Sequence, residues 1–494
     1  MRPDQREQVR HNARYLREVR PLDPAEISDY VEGQPHPGAV AQVLREEAPD
    51  LHLVERGDGT FVPAPEGPAD VTHDGVDAVP RRYVRALEDA LVDRFGSGWP
   101  DGESGDRLRA RVREVKARYH RGLDVEYDGL TALGYAVYHL PATYAAARYV
   151  FAELARDGQL PASPRVLDVG AGVGGPALGL CDLLGEESLI EYHAVEPSAA
   201  ADLLERFLAE TGPNVHPSVY RTTAEAFDPR TDADGPGSDS YDIVVFANVL
   251  SELDAPEAVV GRYLGALAAD GSVVALAPAD RNTATGLREI ERAVEREHGA
   301  TVYAPTVRLW PGERPAGECW SFDVRPDVDV PAVQRCLDEG ARGPDPAAYE
   351  RRDSPPGTQD RSPGDGEFVN ADVKYAFGIW RTDGHCRVEF RPDPDRTARM
   401  ADADSFVTER VDLAAIKLSH DLSEGDNPLF LVGDGSEQAD HFAVLTRESG
   451  LNRDLAAADY GATLRFENAL VLWNDDEAAY NVVVDGETVV DRVH

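Results

Sequence analysis

One stretch constrains the fold more than any other: Val166-Leu167-Asp168-Val169-Gly170-Ala171-Gly172-Val173-Gly174-Gly175. An apolar run of strand length ends in glycines and opens into an apolar run of helical length, 176–184. Glycine at 170 and 172 lets the main chain pass close beneath a bound ligand, because a Cβ there would collide with it. The free N–H groups at the helix start can meet a carboxylate or phosphate. About twenty residues past the turn, His193-Ala194-Val195-Glu196 ends the next strand on an acid placed to accept hydrogen bonds from both ribose hydroxyls of a nucleoside ligand. A glycine turn that only packs a helix, beside a solvated Glu196, is the bland alternative. The alternation continues, with strands expected at 165–169, 190–195, 241–247 and 272–277 and helices at 199–210, 256–267 and 283–297. That order predicts βαβ units and a parallel sheet covered on both faces.

Gly170, Gly172 and Gly175 satisfy the dinucleotide fingerprint as well, so spacing alone does not choose the ligand. Two features do. Asp168 stands two residues before the first glycine, where dinucleotide sites usually carry an apolar residue. A second signature follows in Tyr241-Asp242-Ile243-Val244-Val245-Phe246-Ala247-Asn248-Val249-Leu250-Ser251-Glu252-Leu253 and Leu267-Ala268-Ala269-Asp270-Gly271-Ser272-Val273-Val274-Ala275-Leu276. Together these resemble the class I S-adenosylmethionine-dependent methyltransferases. The resemblance implies a Rossmann-like doubly wound sheet and S-adenosylmethionine as cofactor. Asp168, Gly170 and Gly172 would line its methionine end, Glu196 would hold the ribose, and Ala224 would lie near the adenine. Thr223 stands where the family often has an Asp. Asn248 would face the methyl-transfer site.

A narrower resemblance rests on His139-Leu140-Pro141-Ala142-Thr143-Tyr144-Ala145-Ala146-Ala147, Ala277-Pro278-Ala279-Asp280-Arg281 and Ala300-Thr301-Val302-Tyr303-Ala304-Pro305. These are similar to the methyltransferase-like assembly factors of the small ribosomal subunit, the family with mitochondrial members. It implies the small subunit or its rRNA as partner. That family usually carries cysteines for an iron–sulfur cluster after the core. Here Thr306 and Trp310 occupy the first two expected places and only Cys319 keeps a counterpart, so a cluster is not expected and ordinary buried thiols are. No Asn/Asp-Pro-Pro-aromatic loop follows Asn248, and no cysteine nucleophile lies at the fourth-strand end. Three functions stay open: a methyltransferase acting on small-subunit rRNA, a silent assembly factor that holds the cofactor, and a small-molecule methyltransferase.

Charge excludes less than it first suggests. Asp and Glu number 90 against 50 Lys and Arg, a net charge of −40, and the lysines are only Lys116, Lys374 and Lys417. Such a surface disfavours nucleic acid. The acids are spread along the whole chain, however, which fits a halophilic cytoplasm, where the Debye length falls to about 3 Å at 1 M salt. Against this background residues 107–121 stand out, with Arg107, Arg109, Arg111, Arg113, Lys116, Arg118, His120 and Arg121. They are candidates for phosphate contact, with a solvated helix face as the alternative.

Four regions are expected. Residues 1–130 are mainly helical, irregular over 1–70, with helical patches at 23–30 and 39–47 and helix over 79–120, a second helix starting near 107. Residues 131–340 form the methyltransferase-like domain, opening on a helix over 131–157 interrupted at Pro141. The Pro-, Gly- and Asp-rich stretch 341–366 is a flexible linker. Residues 367–494 are β-rich, with runs at 373–380, 386–391, 429–432, 442–445, 463–466, 469–473, 480–484 and 488–490 that predict a small barrel or sandwich. Cys181, Cys319, Cys336 and Cys386 are too scattered for a disulfide scaffold. The charged N-terminus lacks an apolar signal core and no run approaches 18 apolar residues, so a cytoplasmic protein with no membrane partner is expected.

Overall fold

The computed structural model describes residues 1–493 except 120, 122, 124, 233–239, 311–318, 342–365 and 424. The expected linker thus lies almost wholly outside the described residues. The chain divides into two compact units. The first is Met1–Ala247, Ala266–Gly271 and Pro326–Val373, and the second is Asn248–Gly265, Ser272–Arg325 and Lys374–His494.

In the first unit the N-terminal seventy residues are not irregular. Helices α1 (Pro3–Leu16), α2 (Pro24–Asp29), α3 (Pro37–Glu46) and α4 (Ala48–Leu51) pack with the hairpin of β1 (Leu53–Glu55) and β2 (Phe61–Pro63). Their core includes Val9, Leu22, Ile27, Val40, Leu44 and Phe61. Prolines open α1, α2 and α3, where the missing N–H has no partner to lose.

Helices α5 (Arg81–Phe95), α6 (Gly102–Tyr119) and α7 (Gly129–Arg156) follow. The last runs unbroken through Pro141, against expectation. Proline leaves the Val137 carbonyl without its helical donor. Gln334, fully buried on the helix Ala332–Ala341, supplies one: its Nε2 donates to Val137 O at 2.9 Å and to Tyr138 O at 3.2 Å. Gln334→Leu should orphan that carbonyl and cost about 1–3 kcal/mol, read by urea denaturation; an unchanged midpoint would mean the proline is tolerated without this bond.

The parallel sheet of the first unit is β3 (Arg165–Val169), β4 (Ile190–Val195), β5 (Val215–Tyr220) and β6 (Tyr241–Ala247), ordered β5-β4-β3-β6, with helices α8 (Gly175–Leu184) and α9 (Ala200–Leu208) between strands. Val166, Leu167 and Val169 are fully buried, as a strand covered on both faces requires. Strand β5 was not expected, since Val-His-Pro-Ser-Val-Tyr carries little apolar signal. It is the edge strand, where a proline is tolerated.

Strand β7 (Leu267–Pro278) enters the second unit at Ser272. That unit holds α10 (Pro256–Leu264), α11 (Arg281–His298), β8 (Thr301–Ala304), β9 (Asp323–Arg325) and β10 (Val373–Arg381). Strand β10 was expected in the C-terminal β-rich region. It lies instead antiparallel between β7 and β8, pairing Phe377 with Leu276 and Ile379 with both Val274 and Ala304. The run is buried from Tyr375 to Arg381, which showed a central strand but not its partners. The parallel ladder and this reversed strand make the Rossmann-like, class I methyltransferase-type fold. Residues 386–391 form no strand; the Arg387 N–H donates to the Tyr303 carbonyl at 3.2 Å outside any ladder.

Strands β11 (Arg410–Lys417), β12 (Leu429–Gly433), β13 (His441–Leu445), β14 (Thr463–Asn474) and β15 (Ala479–Val484) close a five-stranded barrel in the order β11-β12-β13-β15-β14-β11, with β16 (Val489–Arg492) on β14. Its core holds Leu413, Phe430, Leu464, Phe466 and Val482. Runs 463–466 and 469–473 are one strand. Strand β11 was not among the expected runs. Among the described residues no helix is long and apolar enough to cross a membrane.

Candidate functional site

Strand β3 ends at Val169 and the backbone turns with φ of +70° at Gly170 and +54° at Gly172, the left-handed region that favours glycine. The Gly170 and Ala171 N–H groups both donate to Val195 O, at 2.8 and 3.1 Å. Gly172 N–H donates to Glu196 Oε2 at 2.8 Å, and Ser198 N–H donates to Oε1 at 2.9 Å. Glu196, only 6% exposed, therefore clamps the turn from the neighbouring strand. Each carboxylate oxygen has two acceptor positions, so capacity for a ribose hydroxyl remains on both. At Gly175 a Cβ would stand 2.9 Å from Thr143, so glycine there lets α8 start close against α7.

Asp168 is fully buried. Its Oδ2 accepts the Tyr192 hydroxyl at 2.7 Å. Its Oδ1 has no hydrogen-bond partner among the described residues. Burial first, then the nearby Glu196 charge, pushes the carboxyl up to about 7. A buried acceptor without a donor fits a ligand that brings one, such as the ammonium of an amino-acid moiety. Because the folded value lies above the unfolded one of about 4, the native state binds the extra proton, and stability falls as pH rises from about 4 to about 7. Asp168→Asn should therefore raise the melting temperature of the ligand-free protein more at pH 8 than at pH 5. Equal shifts at both pH values would show the carboxylate ionised at no cost.

Ala224, 6% exposed, follows β5 in a turn where Thr223 O accepts the Phe227 N–H at 3.1 Å. Glu196 N–H donates to Tyr220 O at 2.9 Å, which ties this edge to the clamp. Tyr220 packs its ring 5.0 Å from Phe227 and 5.6 Å from His193. Gly170, Gly172 and Glu196 thus lie in one clamped turn where β3 and β4 end, Asp168, next to last on β3, has its carboxylate on Tyr192, and Ala224 follows four residues after β5. Asn248 follows directly on β6, half-buried, with φ +61° and its N–H on Leu276 O at 2.9 Å. Asparagine is the non-glycine residue that tolerates this conformation best, a sequence signal for a sharp turn. Sequence reasoning missed Tyr192, whose only signal was its register on β4, and Tyr220, which ends a strand that was itself not expected.

The basic row on α6 is largely committed within the chain. Arg109, 3% exposed, donates to Pro100 O, Leu337 O and Asp106, which corrects the expectation that it meets an external phosphate. Arg111 pairs with Glu114 and Asp128, and Arg113 holds Glu367 with two bonds of 2.6 and 2.7 Å. Lys116 Nζ donates to Tyr138 Oη at 2.8 Å. Arg107 is exposed and Arg118 half-buried; His120 lies outside the described residues.

Cys319 is half-buried with its Sγ 3.8 Å from Ser321 Oγ, and burial pushes the thiol up. Trp310, buried, donates its Nε1 to Asp434 at 2.8 Å. Among the described residues no group of three or more His, Cys, Asp or Glu side chains converges to hold a metal ion. A cavity of about 410 Å³ lies at the opposite end of α8 from the glycine turn, lined by Arg82, Arg148, Asp182 and Glu210.

Residues 140–327 match the family model of a methyltransferase domain. Residues 6–57 and 401–493 match the N-terminal and C-terminal models of DUF8157, a domain of unknown function. Among curated proteins none matches the chain. Solved structures similar to it include an S-adenosylmethionine-dependent methyltransferase from Clostridium acetobutylicum, 11% identical, over 34% of this chain and 57% of that one, TM-score 0.22. The CcbJ methyltransferase of Streptomyces caelestis is 25% identical over 29% and 52%, TM-score 0.21. The CurJ carbon methyltransferase is 17% identical over 60% and 85%, TM-score 0.30. The chain spans a little over half the length of the first two. The sheet topology and the domain match together give it a class I methyltransferase-type domain.

Proposed function

We propose that the protein is an S-adenosylmethionine-dependent methyltransferase whose acceptor belongs to the small ribosomal subunit. One observation carries the cofactor half: the Gly170–Gly172 turn and Glu196 form a single clamped unit beside the buried, donor-seeking Asp168. When bound, S-adenosylmethionine supplies an electrophilic methyl group. Gly172 and Asp168 would hold its methionine end, and Glu196 would orient its ribose. The residues' work is then to position the cofactor and exclude water, since methyl transfer needs an in-line nucleophile and little else.

The ribosomal half rests on the resemblance carried by 139–147, 277–281 and 300–305. A second reading, an assembly factor that holds the cofactor without transferring its methyl group, is favoured by the missing Asn/Asp-Pro-Pro-aromatic loop after Asn248. Calorimetric titration with S-adenosylmethionine tests the premise common to both. Tritiated methyl transfer to small-subunit RNA and to assembled particles separates them. Failure to co-sediment with small-subunit precursors in high salt would remove the ribosomal acceptor.

A further inference from the structure

One face of α7 carries Tyr135, His139 and Thr143 at i, i+4 and i+8, about 12 Å from end to end. All three are half-buried, unlike most of this helix. The stripe is anchored to the cofactor region at both ends. Thr143 abuts Gly175 at the start of α8. At the other end Tyr135 packs edge-on against Tyr127, centroids 5.9 Å apart, and Tyr127 O accepts the Ala199 N–H, three residues past Glu196. The rings of Tyr135 and His139 lie 4.7 Å apart at 33°. The stripe therefore runs from the loop after β4, beside Tyr127, to the N-terminus of α8, beside Thr143, with its rings at the first end.

We infer that Tyr127, Tyr135 and His139 form the acceptor side of the site and receive a flat heteroaromatic ring, with His139 accepting a hydrogen bond from an N–H on the ring's edge. The inference rests on the methyltransferase reading and names its substrate class. A half-buried row of aromatic side chains, Tyr135 and His139 tilted at 33° and Tyr127 edge-on to Tyr135, offers ring surface to the planar π-face of any base. His139 has the right polarity as well. Burial and the Lys116 charge push the imidazole down to about 4, so it is neutral at pH 7 and keeps an acceptor nitrogen. Lys116 is held behind it, over the Tyr138 ring at 4.1 Å, and Tyr138 packs edge-on against His139 at 4.8 Å. A neutral imidazole beside these rings keeps one acceptor nitrogen, which an N–H on the edge of an uncharged heterocycle can meet. Such a ring can come free in solution or within an RNA.

The full chain is titrated with 2-aminopurine riboside, and with an RNA oligonucleotide carrying a single 2-aminopurine, by fluorescence in the presence of saturating S-adenosylhomocysteine. Saturable binding of either probe is expected, and the tighter one identifies the source. Tyr135→Ala and His139→Leu should each weaken it at least about tenfold, while His139→Gln, which keeps an acceptor, stays within about threefold. Calorimetric affinity for S-adenosylhomocysteine should stay within about twofold in all three variants. Neither probe binding the wild type, variants that bind like it, or variants that lose S-adenosylhomocysteine in step would each overturn the inference. If the wild type takes no S-adenosylhomocysteine, the methyltransferase reading fails separately, and the same titration without it still decides the aromatic stripe.

Discussion

Glu196→Ala binds S-adenosylmethionine at least tenfold more weakly, and the loss approaches hundredfold. Two effects add. The carboxylate oxygens lose their place as acceptors for the ribose, where a charge-assisted bond contributes about 1.5–3 kcal/mol. The turn also loses its clamp, because Gly172 N–H and Ser198 N–H each donate to this one side chain, at 2.8 and 2.9 Å. A turn free to sample other left-handed conformations must be reordered on binding, and that cost falls on affinity. Glu196→Gln keeps an acceptor oxygen without the charge and should fall between the wild type and the alanine variant. Calorimetry reads all three, with a melting curve to show that each remains folded. An alanine variant of wild-type affinity would remove Glu196 from the cofactor site.

Arg288→Met is the substitution expected to cost most in stability, about 3–5 kcal/mol. Arg288 and Glu291 are each 1% exposed on α11 and pair at 2.8 Å. Arg288 also donates to the Phe377 carbonyl on β10, and Trp380 Nε1 donates to Glu291 Oε2 at 3.3 Å. Removing the guanidinium leaves a carboxylate in the interior with one weak donor. Burial already raises Glu291 despite the arginine. Without the arginine it rises further, so the folded variant holds a proton that the unfolded chain gives up above about pH 4. The variant's deficit therefore grows as pH increases through that range. Arg288→Met with Glu291→Leu should recover most of the loss, since an apolar pair can replace a buried ion pair. Urea denaturation followed by tryptophan fluorescence measures this; a single variant less than about 1 kcal/mol below wild type would show the pair to be solvated.

The cofactor turn was legible because its physics is local. Gly170 and Gly172 need positive φ, Asp168 and Glu196 end neighbouring strands, and all of this lies within about thirty residues. Of the N-terminal helices the patches at 23–30 and 39–47 were legible, while α1, opened by Pro3, was not. Pro141 was misread because its compensation, Gln334, stands nearly two hundred residues away and carries no local mark. Strand β10 was seen, but its partners were not, since a fully buried run fits any central position in a sheet. The basic row on α6 looked like a nucleic-acid face because part of what holds it is distant in sequence, although Asp106 and Glu114 stand on the same helix. Arg109 is satisfied by the carbonyls of Pro100 and Leu337, and Arg113 by Glu367.

The position of β10 bears on how this chain can be made. Ribosomal synthesis delivers β7 and β8 first, and the strand that joins them emerges some seventy residues later. Until it arrives, two apolar edges stand open to any passing polypeptide. A protein cut at residue 340 would keep the whole glycine turn and still leave those edges bare, so solubility on truncation should collapse well before ligand recognition does.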